Sequence, residues 1–166
     1  MSDAGPVSDP ADVLGELSAK QAITEVLVAY CAHLDRMDLD ALVALFTEDC
    51  DVDYGPEPRL RSHGSAELRR DLERMWRWAR TSHHLSNVLV ALGAQRTSAT
   101  ATSSVYAWHE RPDGGTATMM GQYHDMLVCR DGVWKIATRR QVLLGNDAGF
   151  QVNINPFARL APPAAR

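Results

Sequence analysis

The chain has 166 residues, 45% of them hydrophobic, a size and composition that fit one globular domain with a real core. Its net charge of -4, with acidic and basic side chains interspersed, offers no basic stripe to a phosphate backbone and excludes nucleic acid as an expected partner. The longest apolar runs, such as Val88 to Leu92, fall far short of the roughly 20 residues a spanning helix needs, and the start carries Asp3 and Asp9 where a signal peptide would be basic, so a soluble, cytoplasmic protein with no membrane partner is expected.

Residues 1–17 are rich in Ser, Asp, Pro and Gly and read as a flexible arm; 18–155 read as the domain and 156–166 as a tail. From Ser18, with Gln21 completing a capping box, Ala22, Ile23, Val26, Leu27, Tyr30 and Leu34 recur at helical spacing. Asp38 then caps a short second helix whose apolar face includes Leu39, Leu42 and Phe46. Cys50 to Tyr54 alternates with period two, Gly55 to Pro58 turns, and Arg59 to Arg61 returns as an edge partner. Gly64-Ser65 opens a third helix expected to run to about Arg80. Four long strands follow, Ser82 to Leu92, Thr97 to Arg111, Thr116 to Cys129 and Val133 to Leu144, with hairpin signals at Pro112–Gly115 and Asp131-Gly132. Helices first and a meander afterwards predict an α+β layering, helices covering one face of a strongly bent, mostly antiparallel sheet.

The sequence lacks a Gly-rich phosphate loop, a G-x-S-x-G elbow and an H-E-x-x-H helix, so the commonest nucleotide, acyl-transfer and metalloprotease chemistries have no signature here. Cys31, Cys50 and Cys129, odd in number and widely spaced, read as reduced thiols, and the four tryptophans read as core or cavity wall. What remains for chemistry is a scatter of Tyr30, Asp35, His83, His84, His109, Tyr123 and Asp125 at element ends that a bent sheet would gather around one cavity. Alternation along a strand sends one of His83 and His84 inward and the other outward. Taken alone, Asp35-x-x-Asp38 equally fits the end of one helix and the cap of the next.

Tyr30 to Phe46 resembles the first-helix signature of the SnoaL-like, scytalone-dehydratase-like branch of the nuclear-transport-factor-2-like superfamily, and Arg80-Thr-Ser-His-His-Leu-Ser-Asn87 resembles the strand that bears its catalytic histidine. Gly121 to Asp125 and Asp131 to Ile136 resemble the family's last hairpin. The resemblance spans most of Ser18 to Leu144. It implies a cone-shaped barrel of helices on a curved mixed sheet, self-association as a homodimer or homotrimer, no metal and no cofactor. It also implies catalytic roles for Asp35 and His83, with His109 as an assisting histidine and Tyr30 as a polarising hydroxyl. Leu34 stands where scytalone dehydratase has a tyrosine, which argues against scytalone as substrate.

The expected chemistry is proton abstraction next to a carbonyl, followed by loss of a leaving group, double-bond migration or ring closure, on a hydrophobic cyclic small molecule. The expected substrate contacts are Phe46, Tyr54, Tyr106, Trp108, Met119, Tyr123 and Phe150, with Val26 and Leu89 adding to the lining. Gly145 to Phe150 fits either a closing loop or an ordinary strand-exit turn. A non-catalytic small subunit of a ring-hydroxylating dioxygenase, or a ligand-binding module, is the alternative on the same fold.

Overall fold

An Asp-Pro pair starts the first helix earlier than the Ser18 box suggests. In the computed structural model, which describes residues 9–151 and 154–155, α1 runs Pro10–Arg36. Asp9 caps it by accepting from the Ala11 N–H at 3.1 Å, and Pro10 occupies the first turn, where its missing N–H costs nothing. Residues 10–17 are therefore helix and not arm, and Ser18 lies mid-helix. The signal was obscured because these first turns are mostly exposed and carry no inward apolar stripe. Ile23, Leu27, Tyr30, Cys31 and Leu34 form the buried stripe farther along. Met37 ends the helix in the left-handed region (φ 54°), and Asp38 caps α2 (Leu39–Val43) through the Ala41 N–H.

Phe46 does not extend α2 but opens β1 (Phe46–Asp53), which pairs antiparallel with the short edge strand β2 (Arg61–His63). A single 3-10 turn at Pro58–Leu60 occupies the place where the return strand was expected to begin. The third helix is shorter than its pattern implies: α3 is Ser65–Leu72, and Glu73–Arg77 tightens into a 3-10 segment. Three residues per turn in that segment aim Met75 and Trp78 at the interior and leave Trp76 exposed.

The long strands are β3 (Arg80–Leu92), β4 (Ser98–Glu110), β5 (Thr116–Arg130) and β6 (Val133–Asn146). With β1 and β2 they make one six-stranded sheet in the order β2-β1-β6-β5-β4-β3. Every neighbouring pair is antiparallel except β1 and β6, so the sheet is mixed, as the resemblance implied.

Two irregularities decide which side chains face the helices. In β3 the register shifts between Ser86 and Leu89, with Asn87 at φ 50°. Before the shift, odd residues such as His83 and Leu85 point inward; after it, Val88, Val90 and Leu92 do. Val88, Val90 and the buried Leu127 thus belong to the core, and the outer face exposes Leu89, Tyr106, Met120 and Met126. In β6 the pairing skips Ala137, because Thr138 faces Met126 while Ile136 faces Leu127. That bulge changes the inward set from Trp134 and Ile136 to Arg139 and Gln141. No helix among the described residues is long and apolar enough to cross a membrane.

Candidate active site

The cavity lies between the C-terminal half of α1, the Leu72–Trp78 segment, the inner face of the sheet and the returning chain end at Phe150 and Ile154. It holds about 520 Å³ of space, part of it open to solvent. Tyr30, Tyr54, His83, His109, Met119, Tyr123 and Phe150, all expected at the site, line it.

Asp35 stands behind His83, at the last turn of α1. The His83 Nδ1–H donates to its Oδ1 at 2.6 Å, the His83 backbone N–H donates to its Oδ2 at 2.8 Å, and the Thr81 hydroxyl donates to Oδ1 at 2.8 Å. Asp38, not Asp35, is the residue that caps α2. Partial burial pushes the Asp35 carboxyl upward, but the hydrogen bonds from the His83 ring, the His83 backbone and Thr81 outweigh it and hold the group below its ordinary value. A carboxylate can only accept, so Nδ1 must carry the proton. In the neutral ring Nε2 is then the basic nitrogen, on the opposite edge of a ring that lines the cavity. The alternation of β3 sends His84 outward, where it meets Ser82 and the Tyr106 ring.

His109, inward on β4, packs edge-on against His83 with ring centroids 5.4 Å apart, and lies between Trp78 and Phe150. Its Nδ1–H donates to the Ala117 carbonyl at 3.3 Å, so in the neutral ring Nε2 is the acceptor. Burial first, and the neighbouring His83 second, push its pKa down from 6.5 to about 4. Between those values the unfolded chain binds a proton that the folded chain refuses, so stability falls as pH drops through this window and is fully present above pH 6.5. At about 1.4 kcal/mol per pH unit the loss approaches about 3 kcal/mol. Urea unfolding between pH 7 and 4 should show that slope for the wild type and a flatter one for His109→Gln; equal slopes would contradict a buried neutral ring.

The floor of the cavity is aromatic. The Tyr30 and Tyr54 hydroxyls are 2.6 Å apart, and burial, together with neighbouring tyrosines, pushes their pKa values up, so both stay protonated. Beneath them Arg139 is wholly buried, its guanidinium 4.1 Å from the Tyr30 ring centroid and 4.2 Å from that of Tyr123. Asp125, its cross-strand partner on β5, accepts two hydrogen bonds from it at 2.7 and 2.9 Å. Burial by itself favours a neutral guanidine, and Asp125 reverses that balance.

Some expected contacts lie elsewhere. Tyr106 and Trp108 occupy even positions of β4, which face outward; Tyr106 is 46% exposed, and Trp108 lies under Arg80. Leu89 follows the β3 shift and is 72% exposed. Phe46, as the first residue of β1, is buried edge-on behind Tyr30, and Val26 packs in the core, so neither lines the cavity. Beyond reading the tryptophans as core or cavity wall, sequence reasoning did not single out Trp78, Arg74, Arg77 or Gln141. The first three follow from the 3-10 segment and the last from the Ala137 bulge, and neither feature has a periodic signal. Gly145 to Phe150 is a bonded strand-exit turn: the Asp147 N–H donates to Thr118, the Phe150 N–H to Asp147, and Asn146 to the Phe150 carbonyl. It seats Phe150 in the wall. Among the described residues no group of three or more His, Cys, Asp or Glu side chains is placed to hold a metal ion.

The family model of the SnoaL-like domain matches residues 15–140. The chain belongs to the SnoaL-like family. A candidate scytalone dehydratase from Novosphingobium aromaticivorans is 30% identical, with a TM-score of 0.81 over 88% of this chain and 97% of that one. The SnoaL-like fold extends to a hexachlorocyclohexane dehydrochlorinase from Novosphingobium barchaimii, 15% identical with a TM-score of 0.72 over 90% of this chain and 99% of that one. The ActVI-ORFA protein of Streptomyces coelicolor is 23% identical, with a TM-score of 0.62 over 73% and 93%. None of the curated proteins compared with the chain matches it.

Proposed function

We propose that this SnoaL-like protein is a lyase or isomerase in which His83, oriented and charged by Asp35, removes a proton from carbon next to a carbonyl of a hydrophobic cyclic substrate. The observation that carries the reading is the 2.6 Å Asp35–His83 bond, which fixes one tautomer and leaves Nε2 free at the cavity wall. Proton transfer to Nε2 makes an imidazolium beside the carboxylate, and the freed electron pair enters the carbonyl as an enolate. One Tyr30–Tyr54 proton holds the pair together, and the other is free to donate to the enolate oxygen. With a β-hydroxyl on the substrate, collapse of the enolate expels that group, and the imidazolium returns its proton to release water. Without a leaving group, the proton returns to a different carbon and the double bond migrates, or the enolate carbon closes a ring.

The fold relatives that are a dehydrochlorinase and a candidate scytalone dehydratase support this class. The aromatic floor and the Phe150 wall suit a polyketide-, terpenoid- or steroid-like ring. Cyclic β-hydroxy ketones incubated with the protein in deuterated water, read by mass spectrometry, should lose water or take up deuterium. Asp35→Asn, which removes the charge and unlocks the tautomer, should slow this about 10²–10⁴-fold. An undiminished rate in folded Asp35→Asn contradicts the proposal.

A further inference from the structure

A second, outer cleft of about 770 Å³ adjoins the inner cavity, and the two share Arg77 and Trp78. Arg74 belongs to the inner lining and Arg111 to the outer. The charges of these arginines are positioned but not neutralised. Arg74 donates to the Asp71 carbonyl and lies 5.3 Å over the Tyr54 ring; Arg111 donates to the Gly149 carbonyl. Arg77 and Arg111 flank the Trp78 ring at 5.0 and 5.7 Å. Among the described residues none of the three forms a salt bridge, whereas Arg59, Arg69, Arg80 and Arg96 each hold a carboxylate. Asp113, the acidic residue in the outer cleft, accepts from the Gly115 N–H. Among the described residues the buried Trp78 Nε1–H also lacks an acceptor.

A stacked guanidinium keeps its edge N–H groups directed sideways, free to fork onto an anion. Uncompensated cations at the mouth of one cavity, in a protein of net charge -4, are a local device and not a general attraction. We infer that the substrate carries an anionic substituent, a carboxylate or a phosphate, that stays at the mouth between Arg77 and Arg111 while the apolar ring passes Trp78 to reach His83. The inference rests on the inner cavity being the substrate site.

Two fluorescent probes with the same ring system separate the two claims. N-phenyl-1-naphthylamine is neutral, and 1-anilinonaphthalene-8-sulfonate adds one anionic group. The sulfonate should bind about tenfold more tightly at low salt, and Arg77→Gln/Arg111→Gln should remove that advantage while leaving the neutral probe unchanged. Arg77→Lys/Arg111→Lys should restore part of it, and near-ultraviolet circular dichroism checks that each variant is folded. Displacement of the sulfonate by 1-naphthoate in preference to 1-naphthyl phosphate assigns a carboxylate, and the reverse order assigns a phosphate. Equal binding of both probes, indifferent to the arginine variants, overturns the anionic substituent and leaves the cavity reading intact. Failure of the neutral probe to bind overturns the cavity reading itself, and this inference with it.

Discussion

Replacing His83 by alanine should abolish detectable turnover, a loss of at least about 10²–10⁴-fold from the missing base. Enolate stabilisation by the Tyr30–Tyr54 pair persists in the variant, yet it has nothing to act on until a proton leaves carbon. The fold should survive. Asp35 keeps the Thr81 hydroxyl and the backbone N–H of residue 83, so the truncation does not leave an unpaired buried charge. The space vacated by the ring provides a further check: added imidazole should recover part of the deuterium uptake in His83→Ala and none in Asp35→Asn. Full activity in folded His83→Ala would reassign the base to His109, the other cavity imidazole.

The second large effect concerns stability. Asp125→Ala should destabilise the protein by about 3–5 kcal/mol, because Arg139 would be left charged and unpaired in the core. For a domain of this size that corresponds to a fall in Tm of about 6–20 °C. The same removal at the surface pair Asp40–Arg69 should cost far less, since solvent screens exposed charges. Asp125→Leu combined with Arg139→Met should recover most of the loss. A double variant no more stable than Asp125→Ala would mean that the guanidinium stabilises the core mainly through the Tyr30 and Tyr123 rings, 4.1 and 4.2 Å away.

Features whose information is local were legible in the sequence. The apolar stripe of α1, the β-prone composition of the long strands and the Asp131-Gly132 turn lead to the α+β layering, and the His83 strand motif leads to the face that holds His83. Register was legible only in part. Tyr106 and Trp108 are expected in the apolar lining, although His109 and Tyr106 have opposite parity on one strand and cannot both face the cavity. Leu89 was misplaced by the shift after Ser86, and Arg139 was overlooked because the Ala137 bulge resets the inward set. Bulges depend on how a strand bends against its neighbours, so no residue type announces them. The arginine-lined mouth was hidden for a related reason. In a third helix running to about Arg80, Arg77 fits the solvated face, and the 3-10 tightening after Leu72 brings it instead to the lining of both cavities.

A long-range proton–nitrogen correlation spectrum of the histidines, recorded at pH 8 on the wild type and Asp35→Asn, tests the account at its centre without needing a substrate. The account predicts that His83 carries its proton on Nδ1 in the wild type, with Nε2 showing the shift of an unprotonated nitrogen, and that Asp35→Asn loses this single tautomer. A wild-type His83 protonated on Nε2, or a tautomer indifferent to Asp35, would contradict it, because no free base would then face the cavity.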